Sequence, residues 1–341
     1  MNLIHARNVN QAWPQALRMV KGAGLPRQSR NGPVREMPEP VTTVYECPWE
    51  RVLFDDLRDA NPFFHLMEAL WILAGRDDVA WPAQFCAQLK EYSDDGQQFY
   101  GAYGMRLRHG GEDQFATAIE LLKDDPASRR AVLQIWDARR DLGHEGKDIP
   151  CNTHLYLKLR DGALLMTVCN RSNDIAWGLY GANVVQWSMV QEYLAAQLGV
   201  AMGELTTVSD SFHIYESNAV WQAIKSMEGI QALADPYGSR HVCAYPLVDV
   251  PSRFDTELAE FLNDPLDELG EMFTKDRRNS FFWAVAQPMY RAWKAHKHDK
   301  SGAAHLLDCQ ATDWRHAGLK WLARRGDKLT AKQEKVLYAT L

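Results

Sequence analysis

The sequence predicts an α+β fold, a mixed twisted sheet flanked by helices, and three observations carry that prediction. Residues 153–159 and 163–169 are strand-like runs separated by Arg160-Asp161-Gly162, and an Asp-Gly at such a place is a hairpin signal. Residues 184–198 follow Gly178 and Gly181 with helical periodicity, and residues 205–215 return to strand character. Past residue 290 the composition changes to basic helical segments, so residues 1–290 read as one core and 291–341 as a helical extension of it.

Taken in order, residues 24–48 are rich in Gly, Pro and Arg, and Thr42-Thr43-Val44-Tyr45 near their end reads as a strand after a loop. Pro62 opens a strongly apolar helical run over 63–74 that stops at Gly75. Residues 97–108 hold Tyr100-Gly101-Ala102-Tyr103-Gly104, a turn-rich aromatic segment, and 112–123 reads as a helix. Asp125-Pro126-Ala127-Ser128-Arg129-Arg130 leads into an apolar, β-branched strand at 131–136. Beyond the hairpin, the long helix and its following strand come a helix at 218–233 and basic helices at 289–298, 314–325 and 331–339.

Composition excludes several function classes. The chain has 341 residues, 46% apolar and 24% charged, with 38 Lys and Arg against 44 Asp and Glu for a net charge of −6. Twelve each of Trp, Tyr and Phe supply enough apolar area to exclude general disorder. The apolar stretch 189–200 is broken by Gln191, Glu192 and Gln197, so no membrane span is expected. Cysteines 47, 86, 151, 169, 243 and 309 form no CxxC pair, which suggests neither zinc nor a disulfide framework. With no signal-peptide pattern at the N-terminus, this points to a reducing cytoplasm. Residues 291–341 carry a net +6, leaving −12 on residues 1–290. That asymmetry reads either as a pair of solvated helices or as a tail facing an anion or a partner. A nucleic-acid-binding role would rest on this tail, but no stacked aromatic-basic platform accompanies it.

Four sets of residues are candidates for chemistry. Glu68 stands inside an apolar helix, where a buried charge is costly unless it is paired or working; the alternative is that it faces outward. Cys151 opens a strand beside Asn152 and Thr153 and is either a small core residue or a nucleophile. A nucleophilic thiolate needs a cation nearby, and Arg171 at the end of the partner strand is the one the hairpin could deliver. Arg129 and Arg130 are adjacent at the entry to a strand and so point to opposite faces, placing at least one against a buried anion or an interface. His213 and Tyr215 alternate along a strand and share a face, which suits a sugar hydroxyl or a packed aromatic core.

The order of these segments says more than any one of them. The Glu68 helix, the Tyr100–Arg106 stretch, the Arg129-Arg130 pair and Pro150-Cys151 come first. Asn170-Arg171-Ser172-Asn173-Asp174, the turn at 178–183 and Asp210-Ser211-Phe212-His213-Ile214-Tyr215 follow co-linearly. In this the sequence resembles the thymidylate synthases and their relatives, the pyrimidine-nucleotide hydroxymethylases. The resemblance spans roughly residues 27–220, continues loosely to 290, and ends there.

The resemblance implies a thymidylate synthase-like fold and a set of roles. Cys151 would add to C6 of a pyrimidine nucleoside monophosphate. Arg171 would bind its 5′-phosphate and lower the thiol pKa, with Ser172 assisting and Arg30 as a second phosphate ligand. Arg129 and Arg130 would reach the phosphate of the neighbouring subunit in an obligate homodimer whose sheets pack back to back. His213 and Tyr215 would hold the sugar 3′-hydroxyl, and Asp174 would contact the pterin of 5,10-methylenetetrahydrofolate. Glu68 would organise water for proton transfers, and Tyr103 would support loss of the C5 proton. Thiolate addition makes C5 nucleophilic. Once a one-carbon unit is attached there, hydride capture of the exocyclic methylene gives methyl and water capture gives hydroxymethyl.

Three departures from the synthase pattern favour hydroxymethyl. No Trp occurs between Trp81 and Trp136, where synthases stack on folate; the stretch reads Leu89-Lys90-Glu91-Tyr92-Ser93-Asp94. The chain ends in a basic extension in place of a short closing segment, and Arg171-Ser172-Asn173-Asp174-Ile175-Ala176-Trp177-Gly178 is more hydroxymethylase-like. Both of the first two losses would admit water. Base choice turns on Gly178-Leu179-Tyr180-Gly181-Ala182-Asn183, one residue longer than the synthase turn. If the extra residue precedes Ala182, Asn183 takes the reading position and the substrate is dUMP. If it is not absorbed, Ala182 sits there and cytosine fits. A dCMP or CMP hydroxymethylase, a dCMP methylase and a thymidylate synthase are the alternatives, and the biological setting, phage DNA modification or nucleoside-antibiotic synthesis, stays open.

Overall fold

The computed structural model describes residues 2–266, 279–298 and 302–338. The N-terminal third runs β1 (Asn2–Ala6), α1 (Val9–Ala23), β2 (Leu25–Ser29), β3 (Gly32–Glu36), β4 (Val41–Tyr45), α2 (Pro62–Leu73), α3 (Ala80–Phe85), α4 (Tyr103–Arg108) and α5 (Gln114–Asp124). Then come β5 (Val132–Gln134), α6 (Ala138–Asp141), β6 (Asn152–Arg160), β7 (Ala163–Asp174), α7 (Val184–Leu198) and β8 (Ala201–Tyr215). Helices α8 (Ala219–Ile224), α9 (Pro251–Asn263), α10 (Gln287–His298), α11 (Ala303–Leu306), α12 (Thr312–Arg324) and α13 (Ala331–Tyr338) complete the order.

The sheet runs β1-β4-β8-β7-β6-β5, with β3 also pairing β8 and β2 pairing β3. Pairs β1/β4 and β7/β8 are parallel and the others antiparallel, so the expected mixed sheet is present. The β6–β7 hairpin turns on Asp161 and Gly162 with φ of 52° and 77°. Positive φ at both central residues is the turn that matches strand twist, and a small polar residue followed by Gly tolerates it.

Adjacent cross-strand rows assign the two faces. Ile4, Thr43, Thr207, Val168, Leu155 and Leu133 lie opposite one another across six strands, and all are buried under the helices. The next row, Leu3, Thr42, Val208, Cys169, His154 and Gln134, is partly or fully open. The helices therefore cover one face, and the other stays uncovered within the chain, with Leu3, Val132 and Tyr156 among its exposed apolar residues.

Helix α7 packs on β7 and β8, and helix α2, packed in turn on α7, is apolar all round because neighbours surround it: α7, α3, α12 and α10 all contact it. The Asn61 side chain caps its N-terminus by accepting from Phe64 N at 3.1 Å, with Pro62 in the first turn. The C-terminal helices pack here. Phe63 meets Trp293 and Trp321 at centroid distances of 5.7 and 5.5 Å, and the expected boundary near residue 290 falls inside α10. The basic charge of this segment is used locally as well, since Lys320 and Arg324 pair with Asp56 while Arg324 and Arg325 pair with Asp59. Trp321 is 4% exposed. Trp321→Ala should accordingly cost about 3–5 kcal/mol in chemical denaturation; a loss below about 1 kcal/mol would mean that the tail does not buttress α2.

Two expectations need correction. Residues 24–36, expected as loop, form the β2–β3 hairpin. Pro26 is tolerated because β2 is an edge strand, and Pro33 because it stands at the start of β3 beside the turn, before the register with β8 begins at Val34 opposite Tyr215. The helix expected over 218–233 stops at Ile224. Residues beyond it are mostly exposed, and Arg18 and Lys21 hold the chain there by donating to the carbonyls of Ile230 and Met227. Ala339, the end of the last expected helix, lies outside the described residues.

Candidate active site

The parallel strands β7 and β8 end side by side, with Asp174 opposite His213. Because β6 runs antiparallel to β7, its first residues meet the end of β7, and the register between Asn152 and His154 shifts there. A bulge at that position re-aims the preceding side chain, Cys151, out of the sheet. A cavity of about 1170 Å³ opens at this end. Every candidate residue named above except Arg129 and Arg130 lines it.

Cys151 and Arg171 are brought together by the hairpin. Arg171 N donates to Cys151 O at 3.0 Å, and Arg171 Nη2 lies 3.9 Å from Cys151 Sγ. The guanidinium is fixed by donating to Pro150 O at 2.9 Å and Ile149 O at 3.0 Å, and it lies over the Trp136 ring. Arg171 does pull the thiol pKa down, but burial outweighs it. Burial raises the thiol above its ordinary value, and Arg171, then Arg30, pulls it down only in part, with Asp148 opposing them. The reason is distance and occupancy: the cation stands 3.9 Å away and spends two donors on carbonyls.

Arg30 sits at the tip of the β2–β3 hairpin and donates to the carbonyls of Gly146 and Lys147 at 2.8 and 3.1 Å. Tyr103 at the start of α4 stacks on Trp187 at 5.6 Å, and burial raises its hydroxyl pKa far above the usual range. Trp187 in turn donates to Asn152 at 3.0 Å, tying α7 to the start of β6. On β8, His213 and Tyr215 meet edge to face at 5.4 Å and both line the cavity, the shared face that alternation predicts. Asp174 caps the following turn by accepting from Ala176 N at 2.9 Å; burial raises its pKa, with His213 and Arg58 opposing. Arg129 and Arg130 are both exposed at the surface. They precede β5, so strand alternation does not force either one inward.

The turn between β7 and α7 is a π-helix over Ile175–Asn183. Its wider spacing takes up an extra residue without displacing the next helix, so both Ala182 and Asn183 line the cavity and only Asn183 brings a polar side chain. Asn183 Nδ2 donates to Gln186 Oε1 at 2.8 Å, and Gln186 Nε2 donates to Glu68 Oε2 at 2.6 Å. Burial pushes the Glu68 carboxyl up to about 7, the hydrogen bond from Gln186 offsetting part of the effect. Glu68 thus faces the cavity, and the outward-facing alternative does not occur.

The sequence model of the thymidylate synthase family matches residues 60–231. The chain is also 46% identical, over 99% of its length and 98% of the relative's, to the deoxyuridylate hydroxymethyltransferase of Pseudomonas phage M6. The chain belongs to the thymidylate synthase family. Two further relatives carry the same name, from Bacillus phage SP01 at 33% identity over 79% of this chain and 70% of that one, and from Delftia phage PhiW-14 at 29% over 63% of each.

Beyond the family motif, the cavity contains residues that the sequence did not single out. Gln186 is the main one, and its signal was available: it lies three positions after Asn183 at the start of α7, on the same helical face. Trp177 and Tyr92 present rings at the cavity wall that are 41% and 43% exposed. No described residue beyond Asn218 lines the cavity, and no described helix is long and apolar enough to cross a membrane.

Proposed function

We propose that this protein adds a hydroxymethyl group to C5 of deoxyuridylate, using 5,10-methylenetetrahydrofolate as the one-carbon donor. The observation that carries this reading is the single cavity that holds Cys151, Arg171 and Asn183 together. It agrees with the substrate for which the phage relatives are named. The Cys151 thiolate attacks C6, the C5–C6 double-bond electrons pass to the C4 carbonyl, and C5 becomes nucleophilic. Arg171, Ser172 and Arg30 hold the 5′-phosphate, His213 and Tyr215 hold the 3′-hydroxyl, and Asn183 pairs with the uracil edge. Tyr103 lies beside Cys151 and Asn152, where it assists removal of the C5 proton.

The lining of the cavity supports a folate site. Exposed aromatic faces of Trp177 and Tyr92 and the Asp174 carboxyl are the groups that a flat, hydrogen-bonding heteroaromatic ring requires, and all three line the cavity. When bound, the cofactor supplies a one-carbon unit at the oxidation level of formaldehyde. The chain's part in the last step is to admit water to the exocyclic methylene on the nucleotide. Glu68, with a pKa of about 7, orders that water and takes its proton as Cys151 leaves C6.

We assign catalysis to residues 1–290 and a buttressing role to 291–341. The uncovered sheet face supports a homodimer, and the exposed Arg129 and Arg130 at the entry to β5 are free to reach a partner subunit's phosphate. The test is mass spectrometry of products from dUMP incubated with methylenetetrahydrofolate. Gain of CH2O on dUMP is expected. Gain of CH2 would mean that water is excluded and methyl is the product, and gain on dCMP in place of dUMP would overturn the base assignment.

A further inference from the structure

We infer that Gln186 sets base specificity by holding the Asn183 amide in the one orientation that reads uracil. This rests on the reading above, in which Asn183 faces the base. The order of donors along the chain of contacts is dictated from one end. When Glu68 is ionised, as it is above about pH 7, its carboxylate only accepts hydrogen bonds, so the group that Gln186 turns toward it, 2.6 Å away, is its amide nitrogen. Its oxygen therefore faces Asn183, and the Asn183 group 2.8 Å away must be the nitrogen. Asn183 keeps one N–H and its carbonyl oxygen for a ligand.

That remaining pair matches one base and conflicts with the other. Uracil offers an acceptor at O4 and a donor at N3–H, which an N–H beside a carbonyl oxygen satisfies together. Cytosine offers an amino donor at C4 and an acceptor at N3, so the Asn183 amide would have to turn end for end. Turning it sets its oxygen against the Gln186 oxygen. Turning Gln186 to relieve that clash sets an oxygen against the ionised Glu68 carboxylate, so the conflict is complete above about pH 7. Cytosine thus leaves an acceptor facing an acceptor at one junction or the next, in a site where unmade hydrogen bonds are costly. The amide also needs space: a methyl group at Gly178 would lie 2.9 Å from Asn183 Oδ1 and 3.1 Å from Asn173 Oδ1, so this glycine makes room for the side chain.

Gln186 touches neither phosphate nor sugar ligands in this assignment, and its hydrogen bond to Glu68 serves both substrates alike, so the ratio between dUMP and dCMP isolates its effect on the base. The test measures kcat and KM for dUMP and dCMP in the full-length protein carrying Gln186→Met, which keeps length without hydrogen bonds. Gln186→Asn, too short to span both partners, serves the same purpose should the first variant fail to fold, with circular dichroism confirming folding. We expect the dUMP-over-dCMP ratio of kcat/KM to fall about tenfold, through a rise in KM for dUMP more than a fall in kcat. An unchanged ratio in a folded variant, alongside a shift toward dCMP in Asn183→Asp, would overturn the role of Gln186 while leaving Asn183 as the base reader. If Asn183→Asp leaves base preference unmoved as well, the reading of Asn183 fails and the inference fails with it.

Discussion

Cys151→Ala is expected to lower turnover of dUMP by about 10⁴-fold or more while changing dUMP affinity by no more than about threefold. The two halves follow from separate groups. Without the sulfur no bond forms at C6, so C5 never gains electron density, and no positioned base or water replaces that step. The binding groups survive the substitution, because the Arg171 guanidinium is held by the carbonyls of Pro150 and Ile149 and not by the thiol. A sensitive readout is loss of label from dUMP deuterated at C5, alongside calorimetric titration of dUMP. Turnover above a trace, or a large loss of binding, would sink covalent catalysis through Cys151. Since burial holds the thiol above its ordinary value in the free protein, the wild-type rate should still be rising with pH at mildly alkaline values, provided the bound nucleotide does not itself lower the thiol.

Glu68→Gln is expected to lower kcat by about 10²–10⁴-fold and to stabilise the fold at alkaline pH. A carboxyl whose folded pKa is about 7, against an ordinary 4.5, favours the protonated form on folding. Its stabilising contribution is complete below about pH 4.5 and is lost as pH rises through about 7. The neutral Gln carries no such dependence. At pH 8 the variant should therefore exceed the wild type by about 2–3 kcal/mol, allowing for solvent that reaches the carboxyl from the cavity. At pH 4.5 the two should be equal. Denaturation at the two pH values checks this, and equal stability at pH 8 would show that Glu68 ionises as freely as a surface carboxylate. The wild-type kcat/KM for dUMP should fall more steeply once pH drops below about 7, where Glu68 takes up its proton on top of the thiol's own dependence, and this added steepness should be missing from the variant.

Most of the sheet could be read from the chain because its decisive signals are short-range. Asp161-Gly162 sits between two strand-like runs, and the 184–198 helix ends before Gly199 where its periodicity ends. What escaped depended on distant partners. The β2–β3 hairpin reads as loop from its Gly, Pro and Arg content, and its strand form comes from pairing with β8, far along the chain. The helix at 218–233 was overextended because nothing local marks Ile224 as its end. The basic charge past residue 290 reads either as a solvated face or as a surface for an outside partner, whereas three of its cations meet Asp56 and Asp59 of the same chain.

The site divides in the same way. Cys151 and Arg171 are 20 positions apart at the ends of one hairpin, so the sequence could suggest their approach, and the fold supplies the 3.9 Å between them. The shared face of His213 and Tyr215, two residues apart on one strand, followed from the sequence alone. The family itself was legible in the order of its motifs, because those motifs lie where strands and helices end and carry chemistry in a few residues. The sequence could not decide what burial does to those groups. That the Cys151 thiol rises despite Arg171, and that Glu68 titrates near 7, are consequences of how much water the packed cavity wall removes. Nor could it join Glu68 to Gln186, 118 positions apart on two helices that meet only in the folded core. Local pattern determines which elements form and which reactive groups they carry, since backbone periodicity and turn chemistry act over a few residues. Protonation and hydrogen-bond order depend on solvent exclusion and on contacts made through space, and those exist only once the helices have closed over the sheet.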